Sequence, residues 1–294
     1  MTGTIEDERI RPWAAVLRVP TTAGRMYFKE AVPYHAHEAR LIEILARRRP
    51  ELVTEVAVAD ERGRMLMRDG GVQLSAVLEG DLDLRYWEEA LPLYAELQIA
   101  ATPAADELVA AGALDRRARV LPAVFDELVA ARAEGLTDEE QRELHALAPE
   151  VQLFVEQVAS QAVPETIQND DFTDGSIFIR DGSYRFLDWG DACVSHPVFT
   201  LTVTQRVIEI RHKLPLRSKE IERVRDAYLE PFTRFEPREE LGSMVEPARR
   251  IGQICRSAMR LDAEQTDAYA DEPDELAWSL RLLLDPEAWR TWDD

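Results

Sequence analysis

Between residues 169 and 191 the chain reads Asn169-Asp170-Asp171-Phe172-Thr173-Asp174-Gly175-Ser176, then two short apolar runs, SIFIR and YRFLDW, and then Asp188-Trp189-Gly190-Asp191. The runs are joined by Asp181-Gly182, a pair suited to the two-residue turn of a β-hairpin. Carboxylates therefore stand at both edges of one short hairpin. Such a pair suits phosphoryl transfer from a nucleotide, in which one carboxylate receives or orients the proton of an acceptor hydroxyl and the other holds magnesium on the phosphates. A hairpin also fixes the separation of the two groups more rigidly than a loop does. Aspartate equally favours chain reversals, so Asp170, Asp171 and Asp174 are open to a plain reading as turn residues. Asp188 resists that reading, because it ends an apolar run and precedes Trp189-Gly190.

The elements that would position these residues are written in the hydrophobic pattern. WAAVLRV (Trp13 to Val19), a turn from Thr21 to Gly24 and then RMYFKE predict a hairpin. From His37, HEARLIEILARRR places Ala39, Leu41, Ile42 and Leu45 near helical spacing and stops before Pro50, which predicts a helix with Glu38 in its first turn. VTEVAVA and GRMLMRDGG, parted by Asp60 to Gly63, predict a second hairpin. After Gly70 the pattern is helical to about residue 160, and Trp87, Tyr94, Phe125 and Phe154 fall at core positions. Thr137 with Glu140 predicts a capped helix start, with the helix running to about Ser160. Beyond the carboxylate hairpin, from Val198, helices resume. The change of character at Gly70 divides the chain into a small strand-rich lobe, residues 1–71, and a larger mainly helical lobe, residues 72–294, an α+β organisation.

Composition narrows the classes of function. An apolar share of 46% with 31% charged residues over 294 residues fits a globular chain with enough length for two lobes. No stretch approaches the roughly 18 apolar residues of a membrane span and the N-terminus lacks the apolar run of a signal peptide, so a cytoplasmic location is expected. A net charge of -21 argues against nucleic acid and anionic membrane as partners and suits a small-molecule substrate, a cationic one included. Nothing in the sequence speaks to oligomeric state. Cys193 and Cys255 have neither metal-binding nor redox spacing and are expected as packed thiols. His35, His37 and His196 are expected as loop, helix-start and capping residues. A nucleophile elbow, a Walker-type loop and an H-E-x-x-H helix are all absent from the sequence, which removes the common hydrolase, NTPase and zinc-protease readings.

The run from Asn169 to Asp191 resembles the aminoglycoside phosphotransferase and protein-kinase-like family, whose actinobacterial-type members carry a pattern close to HDDLHDGN, a hairpin and then DWGDA. The resemblance implies a bilobal kinase-like fold, with Asp171 as catalytic base and Asp188 as magnesium ligand. It also implies that Lys29, in YFKEA, contacts the phosphates of ATP or another nucleoside triphosphate and pairs with Glu38, in HEARL. The chain departs from the pattern at three places, with Asn169 and Thr173 where it has His, and Ser176 where it has Asn. The replaced Asn would itself be a magnesium ligand, a part that Ser176 can fill with a shorter reach. An amide at 169 can partly take over the scaffold hydrogen bonds of the histidine. No glycine-rich phosphate loop is visible near the N-terminus. The implied function is an ATP- and magnesium-dependent O-phosphotransferase acting on a hydroxylated small molecule such as an aminoglycoside-like antibiotic or a sugar. The alternative is a kinase-fold protein impaired in transfer that binds a ligand or partner.

Overall fold

The two expected N-terminal hairpins form and combine into one antiparallel sheet in a computed structural model that describes residues 2–215, 217–264 and 275–288. Strands β1 (Glu6–Arg11), β2 (Ala14–Thr21), β3 (Gly24–Ala31), β4 (Val56–Ala59) and β5 (Arg64–Arg68) lie in the order β1-β2-β3-β5-β4. Helix α1 (Glu38–Ala46) buries Leu41, Ile42 and Leu45 in a core shared with Met65 and Met67 of β5. Strand β1 has no sequence signal: all six of its residues, EDERIR, are exposed, so the alternation that betrays a half-buried strand is missing. It joins β2 through Pro12-Trp13, a connection without glycine.

The second lobe holds two small three-stranded sheets built from β6 (Val72–Gln73), β7 (Leu114–Asp115), β8 (Thr166–Asn169), β9 (Ile177–Arg180), β10 (Ser183–Phe186) and β11 (Ala192–Ser195). One has the order β10-β9-β6 and the other β7-β11-β8. The expected hairpin is β9–β10, and its turn residues Asp181 and Gly182 both have positive φ, 52° and 74°, as a tight turn of this hand requires. Strands β8 and β11 carry short four-residue sequences without polar–apolar alternation, TIQN and ACVS, and every residue in them is buried. They escape a reading based on periodicity because they are covered on both faces.

Helices α2 (Leu74–Leu78), α3 (Arg85–Ala101), α4 (Ala105–Ala111), α5 (Leu121–Ala131), α6 (Asp138–Ala146) and α7 (Ala148–Ala159) precede the hairpin. After it come α8 (Thr200–Arg211), α9 (Lys219–Leu229), α10 (Arg238–Ser243), α11 (Val245–Ile251), α12 (Gln253–Glu264) and α13 (Glu275–Leu284). Trp87, Tyr94, Phe125 and Phe154 are all in the core. The capping box forms, with Thr137 Oγ1 accepting from the Glu140 N–H at 3.2 Å and Glu140 Oε2 accepting from the Thr137 N–H at 2.7 Å. The single helix expected from Thr137 to Ser160 is instead two, α6 and α7, divided at Leu147. Pro149 lies in the first turn of α7, where its missing N–H costs nothing; inside a continuous helix it would remove a hydrogen bond. Of the acidic run DAYADEPDE, residues 267–275, only Glu275, which begins α13, lies within the described residues. Among the described residues no helix is long and apolar enough to cross a membrane.

Gly71 sits where the first lobe passes into β6, with φ of 115°, and a Cβ there would fall 2.2 Å from the carbonyl oxygen of Ile179 on β9. Both the backbone angle and the space exclude a side chain. Gly71→Ala is expected to destabilise the protein by about 2–4 kcal/mol, the sum of strain and overpacking. Urea unfolding should show this as a lower midpoint at unchanged slope; an unchanged midpoint would show that the close approach is not part of the folded state.

Candidate active site

Lys29 lies on β3, where its neighbours across the sheet are Val16 and Met65. Its ammonium reaches Glu38 Oε2 at 2.7 Å and Oε1 at 2.9 Å. It also reaches Asp188 Oδ1 at 2.6 Å, which joins the strand lobe to the end of the carboxylate hairpin. Burial works against the charge on Lys29, but Asp188 and Glu38 outweigh it and hold the ammonium above its ordinary pKa. Glu38 Oε1 also accepts from the Trp189 N–H at 3.1 Å, so α1 grips the Asp188-Trp189 backbone as well as the lysine.

Asn169 ends β8 and organises the loop that follows. Its Oδ1 accepts from the Asp171 N–H at 2.9 Å, and its Nδ2 donates to the Asp188 carbonyl at 2.6 Å. One side-chain amide thus spans both carboxylate-bearing segments, and the Tyr94 hydroxyl, stacked on Phe172, accepts from the Asn169 N–H at 2.8 Å. Asp188 has φ of 65°, a left-handed conformation unfavourable for a residue with a Cβ. Its carbonyl bond to Asn169 and its carboxylate bond to Lys29 hold it there. The Asp188 side chain is 60% exposed at the cleft, with Oδ1 on Lys29, so its carboxylate is open to a hard cation. Ser176 is different. It is buried, and its hydroxyl donates to the Asp171 carbonyl at 3.2 Å and accepts from the Thr173 N–H at 3.4 Å, inside the loop.

The Asp171 carboxylate stands 45% exposed, 3.0 Å from Arg256 Nη1 on α12. Next to it Asp170 points inward, accepting from Gln168 Nε2 at 3.0 Å. Burial pushes its carboxyl up to about 7 although Arg256 and Gln168 oppose the shift. His35, just before α1, meets Asp191 at 2.9 Å. Burial disfavours both charges, and the mutual contact outweighs it, raising His35 and lowering Asp191. His196 accepts from the Val198 N–H at 3.3 Å and caps the following turn, and both cysteines are buried, Cys193 accepting from Gln168 Nε2 at 3.1 Å.

Of the residues singled out from the sequence, Lys29, Glu38 and Asp188 meet directly, and Asp171 joins them through Asn169. Ser176 is bonded to the backbone of Asp171 rather than turned toward Asp188. Arg256 and the His35–Asp191 contact carry no signal in the sequence, since each pairs a helix or loop with a segment far along the chain.

The inward carboxyl of Asp170 has a measurable consequence. In the unfolded chain it ionises near the usual value of about 4, whereas in the folded protein it stays protonated to about 7, so stability falls as pH rises through that window. The displacement corresponds to roughly 4 kcal/mol. Asp170→Asn keeps the bond from Gln168 and removes the titration, and should raise Tm by several degrees more at pH 8 than at pH 5. An equal change at both values would mean that Asp170 is ionised in the folded state.

No family model matches the chain, and no curated protein matches it by sequence. Solved structures do. The macrolide 2'-phosphotransferase MphH from Brachybacterium faecium superposes with a TM-score of 0.62 at 17% identity, over 95% of this chain and 91% of that one. An ethanolamine kinase from Plasmodium vivax gives 0.65 at 13% identity, over 98% and 84%. APH(2")-IIia, solved with GDP and kanamycin, gives 0.63 at 13% identity, over 97% and 93%. At such identities the likeness is one of fold, and it extends over both lobes. The chain has the bilobal protein-kinase-like fold, in an arrangement similar to that of macrolide and aminoglycoside phosphotransferases and ethanolamine kinase.

Proposed function

We propose that this protein transfers the terminal phosphoryl group of ATP, or another nucleoside triphosphate, to a hydroxyl of a small molecule. The observation that carries the reading is Lys29, which bridges Glu38 and Asp188 at 2.7 and 2.6 Å, with Asp188 tied through Asn169 to the loop that carries Asp171. It is the arrangement a kinase needs before nucleotide arrives: an ammonium aimed by a helix carboxylate, a metal-competent carboxylate and a base. Similar folds solved with GDP, with AMP-PNP and with ADP support nucleotide use.

In this reading Lys29 places the phosphates, and Glu38 keeps it pointed at them. Asp188 would hold magnesium, which would supply charge neutralisation at the phosphate oxygens. Asp171 accepts the proton of the acceptor hydroxyl as its oxygen bonds to the terminal phosphorus and the bond to the leaving nucleoside diphosphate breaks. Ser176 would assist as a second, weaker metal contact. The acceptor is a hydroxylated compound of the antibiotic, sugar or amino-alcohol kind, and the location is cytoplasmic. A second reading, a kinase fold that binds nucleotide or ligand without efficient transfer, is favoured by the inward hydroxyl of Ser176 and by the glycine-free Pro12-Trp13 connection between the first two strands.

Nucleotide consumption with magnesium across hydroxylated antibiotics, sugars and amino alcohols tests the proposal. Asp171→Asn is expected to lower turnover by about 10²–10⁴-fold while leaving nucleotide binding largely intact. Ser176→Asn should tighten magnesium-dependent nucleotide binding and raise turnover, because a charge-stabilising contact in the transition state is worth about 2.7–4 kcal/mol. If calorimetry finds no magnesium-dependent nucleotide binding in either the wild type or Ser176→Asn, the phosphotransferase reading is wrong.

A further inference from the structure

The backbone of Asp171 is fastened at both ends, its N–H by Asn169 and its carbonyl by Ser176. Its side chain is not so fastened. Among the described residues, Arg256 is the only side chain at ion-pair distance from that carboxylate, with Nη1 3.0 Å from Oδ1. The same Nη1 donates to the Asp170 carbonyl at 3.2 Å. A donor shared between a carboxylate oxygen and the preceding backbone carbonyl selects one rotamer of Asp171. It occupies Oδ1 and leaves Oδ2 for another partner.

Arg256 is built in rather than draped over the surface. Its side chain is 14% exposed, and Asp171, Asp170, Asp191 and Glu275 hold it charged against burial. Its helix, α12, is pinned around Arg256 itself, where Gln253 Nε2 donates to Ser279 Oγ at 2.7 Å and Ser257 Oγ lies 2.8 Å from the same oxygen. Arg206 Nη1 donates to Gln253 Oε1 at 2.8 Å and ties α12 to α8. Three residues beyond Arg256, Met259 packs against Trp13 and Tyr34 of the strand lobe. The guanidinium is thus carried on a rigid element that touches both lobes, as precise placement of a neighbour requires.

We propose that Arg256 is a positioning residue for the phosphoryl transfer put forward above, holding Asp171 by Oδ1 so that Oδ2 faces the acceptor hydroxyl. The inference rests on that function, and through Asp171 alone it predicts a distinctive set of effects. A reacting group displaced by about 1 Å loses on the order of 10²-fold in rate. Arg256→Met, which keeps the length and apolar stem, should lower kcat by about that factor with the nucleotide KM unchanged. Arg256→Lys, which keeps a donor and a charge, should recover a large part of the loss. In an Asp171→Asn background Arg256→Met should have almost no further effect, since a residue that acts through the base has nothing left to act on.

The test is this double-mutant cycle on turnover with whichever acceptor the screen identifies, together with crystals of Arg256→Met. Loss of the single Asp171 rotamer, and collapse of the Arg256 effect when Asp171 is Asn, support the proposal. Equal losses in both backgrounds, or an unmoved Asp171 with wild-type kcat, overturn it. Should Arg256→Met not fold, Arg256→Gln carries the same cycle. If the wild type turns over no nucleotide, the phosphotransferase reading has failed separately. The Asp171 rotamer in the variant crystal then decides the Arg256 inference alone.

Discussion

A buried ammonium is the constraint on which the site depends. Lys29 is 8% exposed, and an unpaired charge at that depth costs several kcal/mol of desolvation. The chain meets that cost with two carboxylates from opposite sides, Glu38 from the helix after its own strand and Asp188 from the far end of the hairpin. Each partner constrains an element. Glu38 must face the sheet, which fixes the rotation of α1 about its axis and agrees with the face that buries Leu41, Ile42 and Leu45. Asp188 must reach into the cleft, which sets the height of the hairpin against the strand lobe. The lobes are therefore held by a polar contact at the site as well as by the packing of Met259 on Trp13 and Tyr34. A pair broken on one side would leave charge without compensation, so the same interaction that prepares the cleft also discourages other arrangements of it.

Asn169 performs at the loop what Lys29 performs between the lobes. A neutral amide offers one acceptor and two donors in a fixed plane, and here the acceptor takes the Asp171 N–H while a donor takes the Asp188 carbonyl. The residue differs from the histidine of the family pattern, and its two bonds join the segments that carry Asp171 and Asp188. Because an amide does not titrate, this link holds across the pH range in which an imidazole would change its charge. The strained backbone of Asp188 depends on it, since a non-glycine residue keeps a left-handed conformation only where its surroundings over-determine it.

What the sequence disclosed and what it hid divide along a physical line. The hairpins through Lys29 and Asp181-Gly182, the helix at Glu38 and the capping box at Thr137 are local: their signals are periodicity, turn chemistry and capping within a few residues. Lys29, Glu38 and Asp188 could be singled out because they sit at the ends of such elements, and the family pattern supplied the reason to join them. Strand β1 was hidden because it is exposed throughout, and β8 and β11 because they are buried throughout; neither case alternates. The break at Leu147 was legible in Pro149 but was outweighed by apolar spacing on both sides. Arg256 and His35 were illegible for a different reason. Their partners lie 85 to 156 residues away in sequence, and a side-chain pair across that distance leaves no local pattern.

The overall charge and the charge at the site also part company. A formal charge of -21 favours the approach of cations from a distance, through a field that salt screens beyond about 10 Å. Close to Asp171 the composition is different, because carboxylates alternate with guanidinium groups: Arg256 lies on Asp171, and Arg116 meets Asp262 at 2.9 Å. A ligand drawn in by the outer field would therefore meet paired charges rather than a bare acidic wall. At that range the geometry of individual donors and acceptors outweighs net charge, because desolvated contacts are stronger and far less screened than surface ones. In the proposed transfer, acceptor choice would depend on where hydroxyls lie relative to Asp171 and Arg256, and a cationic acceptor would owe its advantage to encounter rate more than to contacts in the cleft.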